Sequence, residues 1–240
     1  MNRRSRAFEA LHVDVLRSAS LPICVALGVL CAAKIARVYF DIPWFHMMGD
    51  PAAITGWPFY LGFVSNAGAL LWAAAASIFF FSYHLHRTSG GDAEWGRFAL
   101  CSGLLVGLLG LDDIFMLHEA VIPKYTPISQ TLFVAMYAGL AALYVVRFAS
   151  LIAQTAYPLL VGAVAMLAVS VGLDQMKDIF SIVVFGQGYL EDAAKLLGIG
   201  TWLSYAVHTS TALFRRECTV PAQRARAPEP TSDSSRALQP

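Results

Sequence analysis

The chain alternates long apolar runs with short loops rich in proline, glycine and charge, and the apolar runs are of membrane-spanning length. Six of them stand out, over residues 21–40, 58–82, 98–119, 128–148, 158–184 and 190–214. Each is close to the roughly 20 residues that an α-helix needs to cross a bilayer core of about 30 Å. The loop between the first two is punctuated by Pro43, Gly49-Asp50-Pro51 and Gly56, and its neighbours Trp44, Phe45, Trp57 and Tyr60 suit an interfacial aromatic belt. Pro123 and Pro127 separate the third run from the fourth. The pattern predicts an all-α protein, a polytopic membrane bundle of six helices. In the second run Gly62, Asn66, Ala69, Ala73 and Ala76 fall on one stripe, where small residues would let a neighbouring helix approach.

Composition agrees with the pattern. Of 240 residues 57% are hydrophobic and 14% charged, with a mean hydropathy of +0.58, against about 25% charged in soluble domains. Six helices fill residues 20–214 as one transmembrane domain. They leave 1–19 as a cytoplasmic leader, in which 7–18 suit either a short interfacial helix or a plain polar segment, and 215–240 as a disordered cytoplasmic tail poor in large apolar residues. The first run continues past Leu30-Cys31 into Lys34 and Arg37 without a cleavage signal, which makes it a retained helix. Cys24, Cys31, Cys101 and Cys218 form no CxxC pair and read as small hydrophobes. With both termini inside, twelve of the seventeen Lys and Arg residues fall on inner segments, as the positive-inside bias requires. This predicts a multi-pass protein of a bacterial cytoplasmic membrane. A formal net charge of +1, with its cations scattered over loops, argues for no nucleic-acid partner.

The third run, GLLVGLLGLDDIFMLHE, ends in Asp112, Asp113, His118 and Glu119. Ionisable groups in a spanning helix are costly unless paired or hydrated, and by default they mark function. Counting from Phe98, Asp112 lies about 21 Å along the helix and Glu119 about 31 Å, both in the outer third. The fifth and sixth runs bring Asp174, Lys177, Asp178, Glu191, Asp192 and Lys195 to the same layer, and the first adds Lys34, Arg37 and Asp41. Eight acids there face four bases. On a continuous helix Asp112 and Glu119 share a face at a rise difference of about 10.5 Å, too far to hold one ion together, while Asp113 and His118 point elsewhere. Asp174 and Asp178, at i and i+4, could grip one ion, and Glu191 and Lys195 have the order that favours an ion pair. Paired charges of this spacing also commonly only satisfy each other.

Two smaller features belong here. Gly110-Leu111-Asp112 and Asp113-Ile114-Phe115 recur as Gly172-Leu173-Asp174 and Asp178-Ile179-Phe180, a weak hint of a duplicated unit. His46-Met47-Met48 offers ligands that could suit copper, though an apolar interfacial loop explains it as well. His84, His86 and His208 fall at the inner face, away from the acids.

LDDIFMLHE, with the later EDAAKLLGIGTWLSY, resembles a group of bacterial multi-span membrane proteins that share an LDD-F-LHE helix and a closing ED-K-LGI-W helix; the resemblance brings no activity with it. The likeness to the alkaline ceramidase and progestin-receptor-like hydrolase superfamily is architectural only. Where that pattern wants a Ser followed four residues later by His, Ser77 is followed by Phe81, and His208 is flanked at that spacing by Ser204 and Ala212.

Three functions fit these residues. The first is a metal-dependent, membrane-embedded hydrolase acting on a lipid or small periplasmic substrate, with Asp112, His118, Glu119, Asp174, Asp178 and Glu191 as ligands and Asp113 and Lys195 as catalytic groups. Such a set suits Mg, Mn, Ca or Fe better than Zn. The second is a proton- or cation-coupled transporter or channel whose acids titrate together; its inner half, however, offers only scattered Ser, Thr, Cys, Asn66 and His208 as a path. The third is a non-catalytic sensor or assembly protein whose charges pair internally.

Overall fold

The computed structural model describes residues 23–180 and 186–224, with the side chains of 177–180 and 216–224 outside that description. All regular structure among the described residues is helical. The interfacial helix that 7–18 would suit, the rest of the leader and the end of the tail lie outside the described residues.

The chain divides into two compact units at Leu61 and Gly62. The first contains helix α1 (residues 23–39) and two short helices, α2 (Trp44–Met48) and α3 (Pro51–Thr55). The predicted loop is therefore partly helical. Asp50 explains α3: its Oδ1 accepts the backbone N–H groups of Ala52 and Ala53 at 2.8 and 3.1 Å, with Pro51 in the first turn and Gly56 closing it at φ +70°. A carboxylate cap, N-terminal proline and left-handed glycine are strong start and stop signals. Within this unit Arg37 pairs with Asp41 and Lys34 lies over the Trp44 ring.

The second unit holds α4 (Phe63–Thr88), α5 (Ala93–Phe115), a π-helical turn (Leu117–Val121), α6 (Ile122–Tyr125), α7 (Gln130–Ile152), α8 (Tyr157–Phe180) and α9 (Gln187–Arg224). Four of these, α4, α5, α7 and α8, have stretches long and apolar enough to cross a membrane. The expected sixth run lies within α9, where Thr201, Ser204, His208, Thr209, Ser210 and Thr211 dilute the apolar residues. Helix α9 also continues past Arg215, the expected start of the tail, because no glycine or proline interrupts the chain before Pro221.

Helix α4 packs against both α5 and α9, α9 packs against α8, and α7 lies along α5. The core is aromatic: Trp72 meets Trp202 edge-on, Phe79 meets Tyr205, and Phe98 contacts both Tyr144 and Phe148. Two hydroxyl pairs lie in it, Ser102 with Tyr144 at 2.6 Å and Thr155 with Tyr205 at 3.1 Å. Of the small-residue stripe expected on α4 only Ala76 is buried in the packing face, while Gly62, Asn66 and Ala73 are exposed. Burial instead follows Gly68, Trp72, Ala75, Ala76 and Phe79. Large aromatic side chains fill the interface, and it is α5 that supplies the small residues. A Cβ at Gly103 would stand 2.9 Å from the Phe80 ring, and one at Gly110 would stand 2.9 Å from Trp72 Cβ.

Gly110 and its sequence echo Gly172 are thus not equivalent, because a Cβ at Gly172 would meet nothing within 4 Å. Gly110→Leu should therefore destabilise the protein by about 1–3 kcal/mol, the usual cost of overpacking. Gly172→Leu should leave thermal unfolding in detergent unchanged or slightly improved; equal melting temperatures for the two variants would contradict this packing.

Candidate functional site: a buried carboxylate at a broken helix

Helix α5 starts earlier and stops sooner than the apolar pattern predicts. Asp92 caps it, accepting the Glu94 N–H at 2.7 Å, so the helix begins at Ala93. Counted from there, Asp112 lies about 28 Å along the axis, close to the far end. The helix then breaks at Met116, a non-glycine residue at φ +48°. Left-handed backbone is unfavourable for such a side chain and persists only where the surroundings enforce it.

Asp112 enforces it. Its backbone carbonyl accepts the Met116 N–H. Its side-chain Oδ1 accepts the His118 N–H at 3.0 Å, and its Oδ2 pairs with His118 Nδ1. Beyond the break the chain takes up a π turn, in which Ala120 and Val121 both donate to the Met116 carbonyl. On a straight helix His118 would face away from Asp112. The break folds it back instead, which corrects the expectation that His118 points elsewhere and that Glu119 continues the Asp112 face. π turns of this kind recur at functional sites.

His118 is consequently held between two carboxylates, with Glu119 Oε1 3.4 Å from its Nε2. Asp112 is buried and Glu119 is half exposed. His118 lies beyond the spanning part of α5, and its pKa is raised above the ordinary histidine value. The hydrogen bond to Asp112 is the largest cause; burial opposes it, while the charges of Asp112 and Glu119 reinforce it. From α7, Tyr137 brings its buried hydroxyl beside the Asp112 carboxylate without reaching standard hydrogen-bond geometry.

The neighbouring Asp113 turns to the opposite side of α5 and pairs with Lys195 of α9. The two residues nominated as catalytic therefore satisfy each other, and Lys195 reaches to α5 for its partner instead of to Glu191. Beside them Ser65, Gly68 and Asp192 line a cavity of about 30 Å³, room for a single water. Asp174 accepts from Gln130 Nε2 at 2.9 Å, and Thr131 donates to Gln175 at 3.2 Å, which ties α7 to α8. Glu191 lies in the field of Asp174, Asp192, Lys195 and Glu119. The side chains of Asp178 and Lys177 fall outside the described residues.

The expected convergence of α5, α8 and α9 is thus present, but as a network of pairs. Among the described residues no three His, Cys, Asp or Glu side chains are grouped so as to hold a metal ion, and Asp112, Asp113 and Asp174 each have at least one partner within the protein. Away from this end, buried His86 places Nε2 on the Asp92 carbonyl and His208 is exposed.

The sequence reading missed Gln130 and Tyr137. Gln130, Tyr137 and Tyr144 recur at seven-residue spacing on a largely apolar α7, a polar stripe along one face, and all three face polar groups of neighbouring helices.

Fold and site define an all-helical protein with helices of membrane-spanning length and a charge-paired cluster at one end of the bundle. Residues 22–209 match the family described as a domain of unknown function, DUF8692, and the chain belongs to that family. No curated protein and no solved structure matches it.

The Asp113–Lys195 pair admits a direct check. Lys195→Met leaves a nearly buried carboxylate without its cation, so it should lower the melting temperature by several degrees. Lys195→Met combined with Asp113→Asn should recover part of that loss, because removing both charges costs less than stranding one. A double variant as unstable as the two single losses added together would show that the residues do not interact.

Proposed function

We propose that this is a six-span protein of a bacterial cytoplasmic membrane with both termini inside, and that its outer charge cluster is a proton-responsive element in a non-catalytic sensor or assembly protein. The observation that carries the reading is His118, held between Asp112 and Glu119 at an enforced break in α5. Protonated His118 satisfies both carboxylates. Neutral His118 keeps the Asp112 interaction through Nδ1–H and leaves Glu119, the more exposed partner, without a cation. Protonation thus decides whether the π turn is tied at both ends or at one, a local charge change coupled to a strained segment.

The same geometry favours sensing over conduction. The acids Asp112, Asp113, Glu119, Asp174 and Glu191 are gathered at one end, while the core below them is built on large apolar side chains such as Trp72, Phe79, Phe98 and Trp202, with the Tyr144 and Tyr205 hydroxyls bonded to Ser102 and Thr155. The hydrolase and metal readings gain no comparable support from the described side chains, among which no metal-holding group of three is found.

Raising the folded-state pKa of His118 adds stability that is fully present below about pH 6.5 and is lost as pH rises through the raised value. Amide exchange over residues 116–121, corrected for its intrinsic pH dependence, should accordingly show protection that falls across that window. Protection should be independent of pH in His118→Gln. Wild-type protection that does not vary with pH would refute the sensor reading. Reporter fusions after Arg87, Arg147 and Arg215 should all report the cytoplasm; an external signal at any of them would refute the six-span topology.

A further inference from the structure

The other end of the bundle carries a second arrangement that the charge cluster does not involve. Helices α5 and α7 are antiparallel, since Tyr137 lies by Asp112 and Tyr144 bonds Ser102. They leave between them a groove of about 330 Å³, walled by Leu104, Leu108, Leu140, Leu143 and Tyr144 and ending at Arg147. From Cys101 to Leu108 the wall runs about 10 Å along α5. It lies within two helices long and apolar enough to cross a bilayer, so it opens towards acyl chains.

The groove's end is charged in a particular way. Arg147 reaches Glu94 in the first turn of α5 at 3.4 Å, and Arg97 approaches the same carboxylate at 4.0 Å. Two guanidinium groups thus share one acid, leaving one positive charge in surplus. Arg147 also lies over the Phe148 ring at 5.0 Å, which keeps its head at the groove mouth, and about half of its side chain is exposed. An apolar cleft a few turns long with a surplus cation at its boundary end matches a lipid with one chain in the cleft and a phosphate at the guanidinium, a group that arginine grips bidentately.

We propose that the α5–α7 groove is a binding site for an anionic phospholipid, with an acyl chain along Leu104, Leu108, Leu140 and Leu143 and the headgroup phosphate at Arg147. A zwitterionic lipid of the same chains would fill the cleft but bring its own cation to the arginine pair. A second copy of the chain would have to bury the Arg147–Glu94–Arg97 charges, which favours the lipid.

The test is native mass spectrometry of the full chain released from detergent after equilibration with equimolar phosphatidylglycerol and phosphatidylcholine of identical acyl chains. Wild type should retain phosphatidylglycerol about fivefold over phosphatidylcholine, the ratio given by about 1 kcal/mol per basic residue near an anionic lipid. Arg147→Gln should bring the ratio to about one, and Glu94→Gln, which releases a second cation, should raise it above wild type. Leu143→Trp should reduce adducts of both lipids by filling the groove. A wild-type ratio near one, or a ratio unchanged by both Arg147→Gln and Glu94→Gln, would overturn the proposal. So would a dimer that Leu143→Trp dissociates while lipid adducts persist, which would assign the groove to a second copy.

Discussion

A buried carboxylate must be paired or neutralised, and Asp112 meets that requirement by bending the chain around itself. Its two oxygens take the backbone and the ring of His118, and both interactions are possible only if α5 stops at Phe115 and Met116 turns left-handed. The cost of that backbone, of order 1–3 kcal/mol for a strained residue, is offset by charge-assisted bonds in a site largely shielded from water. The π turn, the return of His118 and the placing of Glu119 all follow from this one carboxylate.

Next to it, Asp113 shows that adjacent acids on one helix can have separate assignments. Successive positions diverge by about 100° around an α-helix, so Asp112 and Asp113 look to different neighbours, the first to its own chain beyond the break and the second to Lys195 on α9. Asp174 finds neutral amides, Gln130 and Gln175. Asp112, Asp113, Glu119 and Asp174, read in the sequence as part of one negative pool, are in the folded protein apportioned among a histidine, a lysine and amides. This distribution holds α5, α7, α8 and α9 in register at that end, where the aromatic core no longer reaches.

Much of the fold was legible because length and hydropathy decide membrane helices almost alone. The runs later seen as α4, α5, α7 and α8 were visible. Boundaries were less so: Asp92 is a better start signal for α5 than Phe98, and capping chemistry outranks apolarity there. The packing face of α4 was misjudged because a small-residue stripe is informative only when the opposing helix is large, and here α5 provides the small residues. At the site, which helices meet followed from counting residues, but the partners did not. The positions of Asp112, His118 and Glu119 were projected along a straight helix, and no local propensity in Phe-Met-Leu-His announces a left-handed methionine.

A proton-responsive element at this end of the bundle requires His118 to be a charged partner of Asp112. The most direct measurement is the 15N NMR titration of the His118 imidazole in the full chain in lipid nanodiscs, read against Asp112→Asn. The expected result is a pKa above the usual histidine value in the wild type, falling clearly in Asp112→Asn, where burial is opposed only by the charge of Glu119. A wild-type value at or below that of an ordinary histidine, or one that Asp112→Asn leaves in place, would contradict the account.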